Sequence, residues 1–129
     1  MRNEGDVRTW VREQLGDESF WVEAAAGGTV GMADCLWMMD GRLWPIELKY
    51  GNVEAGWWSG SLRPQQEKVG RRMMAGGVGT WILVGEDSDD VLWMMDIEVY
   101  FEAKLGGDKT KMCPVIGRSC MVQVVNERQ

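Results

Sequence analysis

An α/β fold, a small mixed sheet flanked by helices, is what these 129 residues predict. Three patterns carry that expectation. Asp40-Gly41 stands between two apolar runs, the strongest short-range hairpin signal a sequence offers. A proline-led helical segment starts at Pro64 and stops at Gly76-Gly77. The TWILVG that follows reads as a buried strand. At this length the chain is a single domain, residues 1–129, able to bury a core without cross-links.

In chain order, Asp6 is the expected cap of a helix ending at Gly16, with Val7, Trp10, Val11 and Leu15 at helical spacing. SFWVEAA alternates as a strand does, and the glycines of AAGGTVGMAD make a loop. CLWMMD and RLWPIELKYG form the two arms of the Asp-Gly hairpin. GNVEAGWWSGSL, residues 51–62, has glycine and serine but no period and is expected as a loop. Beyond TWILVG, EDSDD is a turn, VLWMMD a strand and IEVYFEAKLGG a helix, and MVQVV is expected as a short last strand. LWMMD occurs at 36–40 and again at 92–96, too short an echo for a repeat.

Composition narrows the chemistry. There is no histidine, so Ser-His and Cys-His nucleophiles are excluded, and hydrolysis would rest on carboxylates, lysine and metal. Cys35, Cys113 and Cys120 lack zinc-site spacing and read as reduced thiols of a cytoplasmic protein. No signal peptide or membrane span is expected, and no membrane partner. A net charge of −6 argues against charge-driven binding to nucleic acid. Yet Arg42, Lys49, Arg63, Lys68, Arg71 and Arg72 cluster in one stretch, while Glu86, Asp87, Asp89, Asp90, Asp96, Glu98 and Glu102 gather in another, so a local basic face is expected.

The hairpin fixes a register. With Asp40 and Gly41 as its two central residues, Met39 faces Arg42 and Asp34 faces Glu47, on a non-hydrogen-bonded position where strands approach to roughly 4.5 Å. Pro45 falls on such a position too, so its missing N–H is not needed by the partner strand. Trp37, Met39, Trp44, Ile46 and Leu48 take the other face, toward helices. Two facing carboxylates destabilise a sheet. Lys49 shares their face but cannot neutralise both. A divalent cation with oxygen ligands can, and Mg²⁺ takes one or two carboxylates while keeping waters for reaction.

The order GMAD, IELK after a hairpin, LRPQQ opening a helix and GGVGTWILVG resembles the PD-(D/E)xK nucleases, closest to their VRR-NUC-like, phage-type, Holliday-junction-resolvase-like branch. The match covers residues 20–85, leaving 86–129 as an accessory strand and helix region. Ala33 stands where the family carries proline. The resemblance implies a restriction-endonuclease-like core and a Mg²⁺- or Mn²⁺-dependent DNA endonuclease, phage- or bacterium-encoded, cutting Holliday junctions, flaps or other branched DNA as a homodimer. It implies Asp34, Glu47 and the Leu48 carbonyl as metal ligands, Lys49 on the attacking water and phosphate, and Gln66 supporting both. Arg63 and Tyr50 would approach the phosphodiester. An upstream acid is placed by the resemblance at Glu23, with Glu13 on the first helix as runner-up; Glu4 and Asp6 read as helix-start charges.

Other readings stay open. Lys68, Arg71 and Arg72 either track phosphates or form an ordinary solvated helix face. Trp57 and Trp58 either stack on unpaired bases, cover the core or meet a second copy. A non-cleaving DNA- or protein-binding module of the same fold is the alternative function.

Overall fold

The turn at Asp40-Gly41 sets the centre of the molecule: both residues have positive φ, 54° and 71°, the geometry whose twist matches a two-residue hairpin. The computed structural model describes residues 2–21, 33–52, 57–59, 64–77, 79–86, 91–104 and 111–128. Around that turn, β2 (Cys35–Met39) and β3 (Arg42–Asn52) pair from Met39↔Arg42 to Cys35↔Ile46. Leu36 faces Pro45, so the proline falls where no ladder N–H is required.

The other described elements are helices α1 (Glu4–Leu15), α2 (Pro64–Ala75), α3 (Ile97–Lys104) and α4 (Arg118–Arg128), and strands β1 (Ser19–Trp21), β4 (Trp57–Ser59), β5 (Trp81–Gly85), β6 (Leu92–Asp96) and β7 (Cys113–Val115). Together they make an α/β fold on one mixed sheet of order β1-β2-β3-β5-β6-β7, with β4 paired to β3. Only β3 and β5 run parallel among the described strands, because α2 carries the chain back between them.

Period-two alternation divides the sheet between two cores. On one face Cys35, Trp37, Ile46, Leu48, Trp81 and Leu83 meet Val7, Trp10, Val11 and Leu15 of α1 and Met121, Val124 and Val125 of α4. On the other, Ile82, Val84 and Met95 meet Ile97, Val99 and Tyr100 of α3, with Met74 of α2 at the margin. Every residue of β5 is buried, as TWILVG predicts, and this central strand is covered on both sides.

Several expectations are corrected. Asn3, not Asp6, caps α1: its Oδ1 accepts from the Asp6 amide at 2.9 Å, and Asp6 Oδ2 accepts from the Arg2 amide at 2.7 Å. The stretch 51–62 is not all loop, since β3 continues to Asn52 and β4 pairs with it, Gly51 opposite Trp58. MVQVV is helical, not a strand. Its buried members, Met121, Val124 and Val125, fall at i, i+3 and i+4, and packing against the sheet outweighs the β preference of valine. Cys113–Val115 forms the edge strand β7, which the sequence reading did not anticipate. Residues 22–32, most of the expected SFWVEAA strand and its loop, lie outside the described residues.

Candidate active site

A gap in the pairing of β3 makes the site. On one edge β3 is bonded to β5 from Ile46 through Tyr50. On its other edge β2 stops at the Cys35↔Ile46 pair and β4 begins at Tyr50↔Ser59. Residues 47–49 have no strand partner there. Alternation along the antiparallel ladder turns the Leu48 N–H and C=O toward this gap. Asp34, next in register after Cys35, fills part of it, its Oδ2 accepting the Leu48 N–H at 2.9 Å. One carboxylate oxygen thus does what a strand carbonyl would otherwise do.

Glu47 and Lys49 lie on the same face of β3, both buried at 3% and 6% exposure. Lys49 Nζ stands 3.8 Å from Glu47 Oε1, a loose pairing for two groups removed from water. Gln66, also buried, completes the set from the first turns of α2: its Nε2 donates to Glu47 Oε1 at 2.6 Å, and its Oε1 accepts from Lys49 Nζ at 3.5 Å. Burial pushes the Glu47 carboxyl up to about 9, and the charge of Asp34 and a hydrogen bond between the two carboxyls push the same way. Lys49 opposes the shift and does not cancel it.

Helix α1 contributes two groups that the sequence reading did not place in the site. Arg8 lies 3.7 Å from Asp34 Oδ1 and holds its guanidinium 5.1 Å above the Trp21 ring. Glu4, one turn earlier, adds its negative charge to those that raise the Glu47 carboxyl. The signal was present in the helical wheel: positions 4, 8, 11 and 15 share a face, and Val11 and Leu15 on it are buried. The choice of Asp6 as cap concealed it, since that put Glu4 outside the helix.

The remaining expected residues are dispersed. Glu13 is exposed on α1. Tyr50 is half-buried between Gly85 and Ser59. Lys68, Arg71 and Arg72 are on the solvent side of α2, and the Arg71 guanidinium stacks 4.0 Å over Phe101. Trp57 and Trp58 are placed by backbone pairing with Asn52 and Gly51. Glu23 and Arg63 lie outside the described residues.

As a donor set, Asp34, Glu47 and the Leu48 carbonyl are hard oxygens, the chemistry that suits Mg²⁺ or Mn²⁺. Among the described residues no three His, Cys, Asp or Glu side chains are clustered closely enough to hold an ion by themselves. A cation here would therefore rely on the two carboxylates, the backbone and water, a pattern ordinary for Mg²⁺. The chain matches no protein-family model, no curated protein and no solved structure.

Proposed function

We propose that this protein is a divalent-metal-dependent endonuclease that hydrolyses DNA phosphodiester bonds at the Asp34/Glu47 gap. One observation carries the reading: the part-buried carboxyl of Asp34, just before β2, meets the buried carboxyl of Glu47 on β3, with Arg8, Lys49 and Gln66 as the compensating side chains around the two. Such an arrangement costs stability in the free chain and is relieved by a bound cation. The resemblance of GMAD, IELK and LRPQQ to the PD-(D/E)xK nucleases, with their restriction-endonuclease-like core, supports it independently of the geometry.

Asp34, Glu47 and the Leu48 carbonyl would hold Mg²⁺ or Mn²⁺, which when bound supplies Lewis-acid polarisation of the phosphate and a water acidic enough to attack. The chain's own residues do the rest. Gln66 fixes the Glu47 carboxylate through its Nε2 and steadies the Lys49 ammonium through its Oε1. Lys49 carries three donors, so beyond these two contacts it can donate a hydrogen bond to a non-bridging phosphate oxygen, stabilising the charge that develops there, or align the water. Tyr50, Arg63, Lys68, Arg71 and Arg72 guide the phosphate backbone, and Trp57 and Trp58 stack on unpaired bases.

The substrate of this reading is branched DNA, a Holliday junction or flap, met by a homodimer that brings two sites to one junction. A chain of net charge −6 gains from such pairing, since each copy offers only a local basic face. No helix among the described residues is long and apolar enough to cross a membrane. A bacterial or phage protein of the cytoplasm fits the free thiols of Cys35, Cys113 and Cys120.

The test is cleavage of labelled four-way junction, flap and duplex DNA with Mg²⁺ or Mn²⁺, against EDTA and against Lys49→Ala. Metal-dependent cutting, strongest on branched DNA and lost in the variant, is expected. Cutting that survives EDTA or Lys49→Ala overturns the proposal, as does a folded wild type inert with every metal and substrate.

A further inference from the structure

The side chain of Ile97, the first residue of α3, reaches α2 at Gly70. A Cβ built on Gly70 would stand 2.3 Å from Ile97 Cδ1, the free end of that side chain, so a methyl there requires either Cδ1 or α2 to shift. Both residues are buried, and Ile97 is at 2% exposure in the cluster that also holds Ile82, Met95 and Val99. Its backbone is held as well, because the Ile97 amide donates to the Thr80 carbonyl at 3.0 Å. Gly70 therefore lets α2 rest directly on the Ile97 side chain. One helical turn earlier on the same face is Gln66, the residue that reaches Glu47 at 2.6 Å. Glu47, Gln66, Gly70 and Ile97 all line one small cavity with Thr80 and Ala33, so a change at one end of this stack is felt at the other.

We infer that Gly70 and Ile97 act as a positioning pair, setting the height of α2 over the sheet so that Gln66 bridges Glu47 and Lys49. The inference rests on the metal-site reading for its functional consequence, while its geometric content stands without it. For this positioning to hold, a methyl on Gly70 must lift the helix or turn it about its axis rather than push Ile97 Cδ1 aside. Either motion lengthens the Gln66 to Glu47 contact, where a few tenths of an ångström separate a strong hydrogen bond from a weak one. Removing Ile97 Cδ1 creates the room that the methyl needs, so Ile97→Val is the specific compensating change. A glycine kept only for helix flexibility has no such partner, because alanine is the better helix former there.

The experiment uses the full chain and five variants: Gly70→Ala, Ile97→Val, Gly70→Ala with Ile97→Val, Gln66→Ala, and Gly70→Ala with Gln66→Ala. Two quantities are read: the side-chain amide resonances of Gln66 by ¹⁵N NMR without metal, in every variant that keeps Gln66, and the Mn²⁺ dissociation constant by paramagnetic titration in all of them. In Gly70→Ala the Gln66 amide signals are expected to move and Mn²⁺ binding to weaken by about tenfold, the scale of losing support to a metal ligand. Adding Ile97→Val is expected to return both to near wild type. In the Gln66→Ala background Gly70→Ala is expected to change Mn²⁺ binding less than twofold.

Unmoved Gln66 resonances in Gly70→Ala, or no return with Ile97→Val, overturn the positioning role. Resonances that move while Mn²⁺ affinity holds overturn its functional consequence alone. Loss of affinity that persists without Gln66 also overturns it, since the effect then travels by another route. A wild type that binds no Mn²⁺ while the amide signals shift and recover leaves the geometry standing and defeats the metal-site reading with the functional half of the inference.

Discussion

Two Glu–cation pairs in this molecule are built of similar chemistry and behave in opposite ways. Glu18 and Arg118 meet at the surface in a two-pronged contact, Nε at 2.5 Å and Nη2 at 2.8 Å, and Trp37 Nε1 also donates to Glu18 at 3.3 Å. The Arg118 hydrogen bond holds the Glu18 carboxyl below its ordinary value. Glu47 and Lys49 are buried and stand 3.8 Å apart, and the Glu47 carboxyl is raised. The surface pair is optimised for each other, tying the turn after α1 to the start of α4. The buried pair is not, because Glu47 also faces Asp34 and Gln66. A buried carboxylate left poorly compensated beside a second one is an arrangement that a fold has no reason to keep for stability. The proposed cation site would account for it.

The comparison breaks first at the site. Glu47→Ala and Lys49→Ala are each expected to lower DNA cleavage by about 10³-fold, the scale on which a charged group at a reacting phosphate acts. Their far-UV circular dichroism should match wild type. A variant that cuts within tenfold of wild type removes Glu47 or Lys49 from the chemistry.

Between these two residues, Leu48 separates side chain from backbone. Its side chain is fully buried, so Leu48→Ala is expected to cost about 2 to 5 kcal/mol of stability by chemical denaturation. Its carbonyl remains, so Mn²⁺ affinity at a temperature where the variant is folded should change by less than about threefold, an estimate that rests on the backbone ligand being retained. A collapse of metal binding with folding intact would assign Leu48 a role beyond its backbone. Gln66→Ala, which removes support from Glu47 and Lys49, is expected to weaken Mn²⁺ binding or cleavage by about 10- to 100-fold.

The smallest effect belongs to the surface pair. Because folding lowers the Glu18 carboxyl, the unfolded chain binds more protons between the two values. The stabilisation is therefore present above the unfolded value and fades as pH falls through the lower, folded one. Arg118 and Glu18 side chains are 44% and 34% exposed, so solvent screening limits Glu18→Gln to about 1 kcal/mol at most near neutral pH. Thermal melts of wild type and Glu18→Gln from pH 3 to pH 7 should converge at the acid end. A gap that widens on acidification would reverse the sign argued here.

How much of this was legible in the chain follows from which interactions are local. The Asp40-Gly41 turn determines the pairing of β2 with β3 within a few residues, so the meeting of Asp34 with Glu47 could be counted out from it. Pro64 and Gly77, which has a φ of 82°, bound α2 by local chemistry as well. What stayed hidden depends on distant partners. MVQVV folds as a helix because Met121, Val124 and Val125 find the sheet, a fact outside their own window. β4 exists because β2 ends early and leaves an edge of β3 to be taken, which nothing in GNVEAGWWSGSL announces. Glu4 and Arg8 enter the site because α1 docks with Val7 and Val11 inward, and once Asn3 is the cap the wheel points at both. The alanine at position 33 buries its side chain beside the site without need of proline.

The central claim is that the gap beside Leu48 holds a divalent cation between Asp34 and Glu47. Its most direct measurement is a Mn²⁺ titration by electron paramagnetic resonance on wild type and on Asp34→Asn with Glu47→Gln, both without DNA. The account predicts saturable binding by wild type and its loss in the double variant, with the two proteins equally folded. Saturable binding of the same affinity in both would place the cation elsewhere and contradict the claim.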